Sequence, residues 1–107
     1  MRIEKTITIT QKDSDYFSEL LFSTGTEIYN SHGLKRDETI TRTCDFGNGI
    51  EADIKIVICD EDERPYAEGV LFKDGYQIAF TEPTDEFINS WEFYYNNDEY
   101  IVNVIVE

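Results

Sequence analysis

Apolar residues alternate with polar ones along most of this chain, and the alternation breaks where turn-forming residues cluster. Residues 2–10 place Ile3, Ile7 and Ile9 on one face with Lys5, and Glu4 and the threonines on the other. A period of two carried by β-branched side chains predicts a half-buried strand. The period then changes. Tyr16, Phe17, Leu20 and Leu21 recur at helical spacing. Asp13 or Ser14 can accept hydrogen bonds from the free amides of a first helical turn, and Gly25 suits the helix end. So short a helix needs a sheet to pack against. Residues 26–37 leave two readings open, a continued helical turn at 26–31 and a loop at His32-Gly33.

The rest of the chain reads as strands. Residues 38–46 and 50–59 form a hairpin around Gly47-Asn48-Gly49. Pairing 46 with 50 and 44 with 52 puts Ile40, Cys44 and Phe46 on the same face as Ile50, Ala52, Ile54, Ile56 and Ile58. Thr39, Thr41, Thr43, Asp45, Glu51, Asp53 and Lys55 take the other face. Residues 66–73 and 76–82 flank Asp74-Gly75, a strong hairpin signal. There Leu71, Ile78 and Phe80 are expected on one face, and Val70, Phe72 and Ala79 on the other. Residues 84–89 fit either a helical turn or a bend. Residues 90–95 alternate with Trp91, Phe93 and Tyr95 on one face, Asn96-Asn97-Asp98 turns the chain, and residues 99–106 return with Tyr100, Val102, Val104 and Val106 on one face and Ile101 and Ile105 on the other. The expected fold is α+β. It is a single domain, 1–107, with element order β-α-β-β-β-β-β-β, an antiparallel meander with one helix packed on one face.

Composition agrees with one folded domain. The chain has 107 residues, 40% hydrophobic and 14% aromatic, enough apolar surface to offset chain entropy despite the high charge. No segment reaches the ~20 apolar residues of a membrane span. No apolar run follows Met1-Arg2-Ile3-Glu4-Lys5, so a signal peptide is not expected. Cys44 and Cys59 read as free thiols, far apart along their hairpin. These features together lead to the expectation of a cytoplasmic protein.

Charge changes the picture most. The net charge is −14, from 23 acidic and 9 basic residues. Residues 1–44 are nearly balanced, with seven acids and six bases. Residues 45–107 hold sixteen acids against Lys55, Arg64 and Lys73. Phosphates would meet like charge, so direct nucleic-acid binding is not expected, and a basic protein partner is.

Few residues suggest chemistry. Nucleophilic catalysis by Cys44 would need His32 as its base, but Cys44 points to the expected core. Two cysteines and one histidine, widely scattered, do not make a zinc site. Asp60-Glu61-Asp62-Glu63 offers oxygens to a hard cation but lacks the glycine and distal glutamate of an EF-hand loop, and it reads as a solvated loop. Asp45, Asp53 and Lys55 match the Asp…(Asp/Glu)-x-Lys spacing of metal-dependent nucleases, a short pattern on a half of the chain that would repel nucleic acid. Gly47-Asn48-Gly49 joins two strands and opens no helix, so it is a turn and not a phosphate cradle. No catalytic residue, metal or cofactor is assigned.

What remains is a run in which acids interleave with aromatics: Glu82, Asp85, Glu86, Trp91, Glu92, Tyr94, Tyr95, Asp98, Glu99 and Tyr100. Aromatic side chains supply contact area, and acids steer a basic partner. The expected partner contacts are Asp60, Glu61, Asp62, Glu63, Asp85, Glu86, Trp91, Tyr94, Asp98 and Glu99. In size and acidity the chain resembles small anti-defence proteins of phages and plasmids, including anti-CRISPR and anti-restriction proteins and uracil-DNA glycosylase inhibitors. The resemblance is one of composition and carries over no residues. It implies an inhibitor that displays carboxylates where a nucleic acid displays phosphates and so occupies the basic groove of a nucleic-acid-binding enzyme. Two other readings stand beside it: an interaction module of the immunity or accessory-subunit type, and a small-molecule-binding domain. An exposed sheet edge leaves dimerisation open.

Overall fold

The computed structural model describes residues 1–22, 39–57, 65–86 and 88–107. Its elements are β1 (Arg2–Ile9), α1 (Gln11–Phe22), β2 (Thr39–Gly47), β3 (Ile50–Val57), β4 (Tyr66–Lys73), β5 (Tyr76–Phe80), β6 (Ser90–Tyr95) and β7 (Asp98–Val106). The expected Gly25 helix stop and the alternatives for 26–37 lie outside the described residues. So do His32, Cys59 and the Asp60–Glu63 run. No helix among the described residues is long and apolar enough to cross a membrane.

The strands form an α+β fold with two sheets, not one meander. One sheet has the order β1-β7-β6 and the other β2-β3-β4-β5. β1 runs parallel to β7, from Arg2 opposite Glu99 to Ile9 opposite Val106, so the first and last strands are neighbours. All the other pairings are antiparallel. The expectation of a continuous antiparallel sheet with a helix on one face is corrected here, and the reason is area. Among the described residues, the 12-residue helix cannot cover the apolar faces of the seven strands. The strands therefore divide and bury those faces against each other.

The two inner faces share one hydrophobic core. β1, β6 and β7 contribute Ile9, Trp91, Phe93, Tyr100, Val102 and Val104; β2, β3 and β4 contribute Cys44, Ile50, Ala52, Ile54, Ile56, Ala67 and Leu71. β1 lies against β2, and β5 against β6. Phe46 meets the edge of Tyr100 across the interface, with ring centroids 5.4 Å apart. Gly69 marks a close approach between the sheets. A Cβ there would lie 2.7 Å from Phe93 Cζ and 3.3 Å from Trp91 Cε3.

The helix joins this same core and does not lie outside it. Phe17 and Leu21 are core residues, and the Arg42 guanidinium of β2 sits 5.1 Å from the Phe17 ring centroid. The helix begins three residues before Ser14. Thr10 is its cap: Thr10 Oγ1 accepts from the Asp13 amide at 3.0 Å, and Thr10 O accepts from the Ser14 amide at 3.0 Å. Asp13 thus falls inside the first turn, where its charge favours the helix dipole.

Turn chemistry closes the hairpins. Asn48-Gly49, Asp74-Gly75 and Asn96-Asn97 all have positive φ at both residues, the geometry of the tight turns that match strand twist. Two details depart from the simple pairing. Gly47, not Phe46, sits opposite Ile50, because β2 has an irregularity between Asp45 and Gly47, and Asp45 Oδ1 accepts from the Gly47 amide at 2.8 Å. In the second hairpin the register shifts by one residue. Leu71 pairs with Ala79 and Val70 with Phe80. Phe80, exposed, therefore shares a side of the sheet with Val70, which is itself buried, and Ala79 turns to the core with Leu71. A one-residue bulge exchanges the faces of everything beyond it.

Candidate partner-binding surface

β6 sorts its side chains strictly by alternation. Trp91 and Phe93 are 0% and 1% exposed and belong to the core, whereas Glu92 and Tyr94 point outward. Trp91 was an expected partner contact; the period of two that exposes its neighbours buries it.

After the Asn96-Asn97 turn, β7 returns with Tyr94 opposite Glu99 and Tyr95 opposite Asp98. β1 then lies along the far side of β7, with Arg2 opposite Glu99. Tyr94, Glu99 and Arg2 thus form an outward row across three strands. Tyr94 is 66% exposed, and its hydroxyl donates to Glu92 Oε2 at 3.2 Å. The carboxylates of Glu92 and Glu99 push the Tyr94 phenol above its usual range, because a phenolate there would face two like charges. The row borders an open cleft of about 600 Å³ lined by Arg2, Tyr94, Tyr95, Asn96, Asn97 and Asp98 among others.

The local cations form exposed ion pairs with other carboxylates. Arg2 Nη2 pairs with Glu4 Oε1 at 3.1 Å, and the Met1 amino group pairs with Asp98 Oδ1 at 3.2 Å. Asp98, an expected contact, is therefore partly neutralised. Among the described residues no ion pair forms at Glu92 or Glu99. Glu92 was not among the expected contacts. Its sequence signal is its place two residues before Tyr94, on the face opposite Trp91 and Phe93.

Asp85 and Glu86 are exposed but belong to another part of the surface. They follow Thr84, which exchanges two backbone hydrogen bonds with Ala67, and the Glu86 amide donates to Thr84 Oγ1 at 3.2 Å. They precede β6, whereas Asp98 and Glu99 follow it, and a six-residue strand spans about 20 Å. The structure brings Tyr94, Asp98 and Glu99 together and leaves Asp85 and Glu86 apart.

The outer face of β2–β5 is also acidic. It carries Asp45, Glu51, Asp53 and Glu68 with Lys55 as its base. The nuclease-like residues sit here, each with a local partner. Asp53 Oδ1 accepts from Thr43 Oγ1 at 2.8 Å, Asp45 Oδ1 is taken by Gly47, and Lys55 Nζ lies 5.9 Å from the Phe72 ring centroid. No group of three His, Cys, Asp or Glu residues converges as metal ligands among the described residues. Cys44 is buried, and burial pushes its thiol up from the usual range despite the opposing effect of Lys5. Both features are poor ones for a nucleophile.

No protein-family model matches the chain, and no curated protein and no solved structure matches it significantly.

Proposed function

We propose that this protein is an acidic binding protein that inhibits a basic partner, a nucleic-acid-binding enzyme whose groove it fills with carboxylates in place of phosphates. The observation that carries this reading is the charge of −14 together with its placement. Carboxylates stand on the outer faces of both sheets, on strands fixed by a shared core. Glu92 and Glu99 flank an exposed tyrosine without an ion pair among the described residues. A fixed array of like charges on a rigid sheet steers a basic partner over long range and loses strength as salt rises. Such a partner also gains from neutralising carboxylates that the fold holds close together.

The reading predicts an association that added nucleic acid displaces. Immobilised protein is exposed to nuclease-treated lysate and washed in parallel at low and high salt. A captured nucleic-acid enzyme that is released by salt, and by added DNA or RNA, is the expected result. A partner retained at high salt and indifferent to DNA and RNA overturns mimicry. It favours instead an interaction module working through apolar contact, for which Tyr76 and Phe80 of the edge strand β5, 77% and 62% exposed, offer aromatic rings away from the Tyr94 row.

A further inference from the structure

We infer that Tyr94, Glu92 and Glu99 form a receptor for an arginine side chain of the partner, an assignment that rests on the acidic-binder reading above and names the group it recognises. Three observations lead to it. The Tyr94 ring is mostly exposed, so a flat group can lie on it. Its hydroxyl end is bracketed by two carboxylates, Glu92 on the same strand and Glu99 directly across the pair. Neither carboxylate forms an ion pair among the described residues: Arg2, which faces Glu99 in the strand register, pairs with Glu4, and the Met1 amino group pairs with Asp98.

The geometry selects the cation. Directly opposed residues on neighbouring strands have Cβ atoms ~5 Å apart, so the Glu99 carboxylate reaches the rim of the Tyr94 ring. A guanidinium is planar and weakly hydrated. It can stack on the phenol face and present its N–H edge to Glu92 or Glu99 in a two-pronged contact. A lysine ammonium is a compact, strongly hydrated point charge and forgoes the stacked, two-pronged arrangement. The chain uses the same contact within itself, where the Arg42 guanidinium rests over the Phe17 ring. The phenol stays protonated beside its carboxylates, so it adds no competing charge and keeps its donor on Glu92.

Octa-arginine and octa-lysine peptides carry equal charge and separate the receptor from general attraction. Each is titrated calorimetrically into the full chain at moderate and at high salt. Octa-arginine is expected to bind about fivefold more tightly than octa-lysine, the scale of an exposed cation–ring contact. Tyr94→Ala should remove that preference, and Tyr94→Phe, which keeps the ring, should preserve most of it. Glu92→Gln with Glu99→Gln should weaken both peptides and reduce the gap. Equal affinity for the two peptides, or a preference that survives Tyr94→Ala, overturns the receptor while salt-sensitive binding of both leaves the acidic-binder reading standing. Failure of both peptides to bind at moderate salt overturns the two together. Tyr94 is on the surface, so circular dichroism of the variants should be unchanged.

Discussion

Replacing Gly69 by alanine tests the contact between the two sheets where a strand of one meets the rings of the other. The added methyl would stand 2.7 Å from Phe93 Cζ, below the 3.0 Å that real Cβ atoms essentially never breach, and 3.3 Å from Trp91 Cε3. Neither ring has room to retreat, because both are buried. The strand cannot easily step back either. The Gly69 amide donates to Thr81 Oγ1 at 2.8 Å, and its carbonyl accepts from the Thr81 amide at 2.8 Å. Overpacking of this kind costs about 1–3 kcal/mol, and the reduced freedom of the unfolded chain returns ~0.5–1 kcal/mol of it. The net loss is about 1–2 kcal/mol, which lowers Tm by about 4–8 °C in a domain of this size. Thermal unfolding followed by circular dichroism measures it. Phe93→Leu removes the ring edge that meets the new methyl, so Gly69→Ala should cost less in that background, by at least ~0.5 kcal/mol. A Tm that is unchanged or raised by Gly69→Ala would refute the stacking of β6 on β4. So would an equal cost in both backgrounds.

Two further outcomes follow from the side-chain environments. Tyr94 should ionise later than an ordinary tyrosine, its absorbance near 295 nm (the usual phenolate band) changing at a pH above the normal value of 10.0, and Glu92→Gln should move the transition back down. A Tyr94 transition at or below the normal value would show that its carboxylate neighbours lie elsewhere. Its sign follows from charge: the folded state favours the neutral phenol, so any stability it lends is present at neutral pH and lost as pH rises through the transition. In a Cys59→Ser chain, Cys44 should react with a small disulfide reagent far more slowly than a free thiol at pH 8 and at the ordinary rate once unfolded, because burial disfavours the thiolate. Fast labelling of the native protein would place Cys44 outside the core.

The sequence alone determined the local structure wherever one physical rule governed it. Alternation marked β1 and β6, a β-branched run apolar on both faces marked β7, and turn residues that tolerate positive φ marked the hairpin tips at Asp74-Gly75 and Asn96-Asn97. Charge counts alone located the acidity in residues 45–107. Alternation also held the fate of Trp91, since it assigns Trp91 and Phe93 to one face and Glu92 and Tyr94 to the other. It does not say whether the face of Trp91, Phe93 and Tyr95 meets the protein's own core or a partner. That was decided by the opposite sheet, where Gly69 leaves room for the rings of Trp91 and Phe93.

Tertiary structure decided the rest. The parallel pairing of β1 with β7 joins strands separated by nearly the whole chain, and nothing in either strand's pattern distinguishes that neighbour from another. Division into two sheets follows from the need to cover apolar area, a property of the assembled strands and not of any one of them. The bulge in β5 exchanged the faces of Ala79 and Phe80, because a shift of one residue costs little locally yet reverses inside and outside. The acids followed the same logic. Asp85 and Asp98 look alike in sequence, but strand β6 separates them, and pairing with β7 places Glu99 beside Tyr94. Composition fixes how much charge a chain carries; which carboxylates stand together, and which are already paired, depends on strand register, and register is set by burying the apolar face.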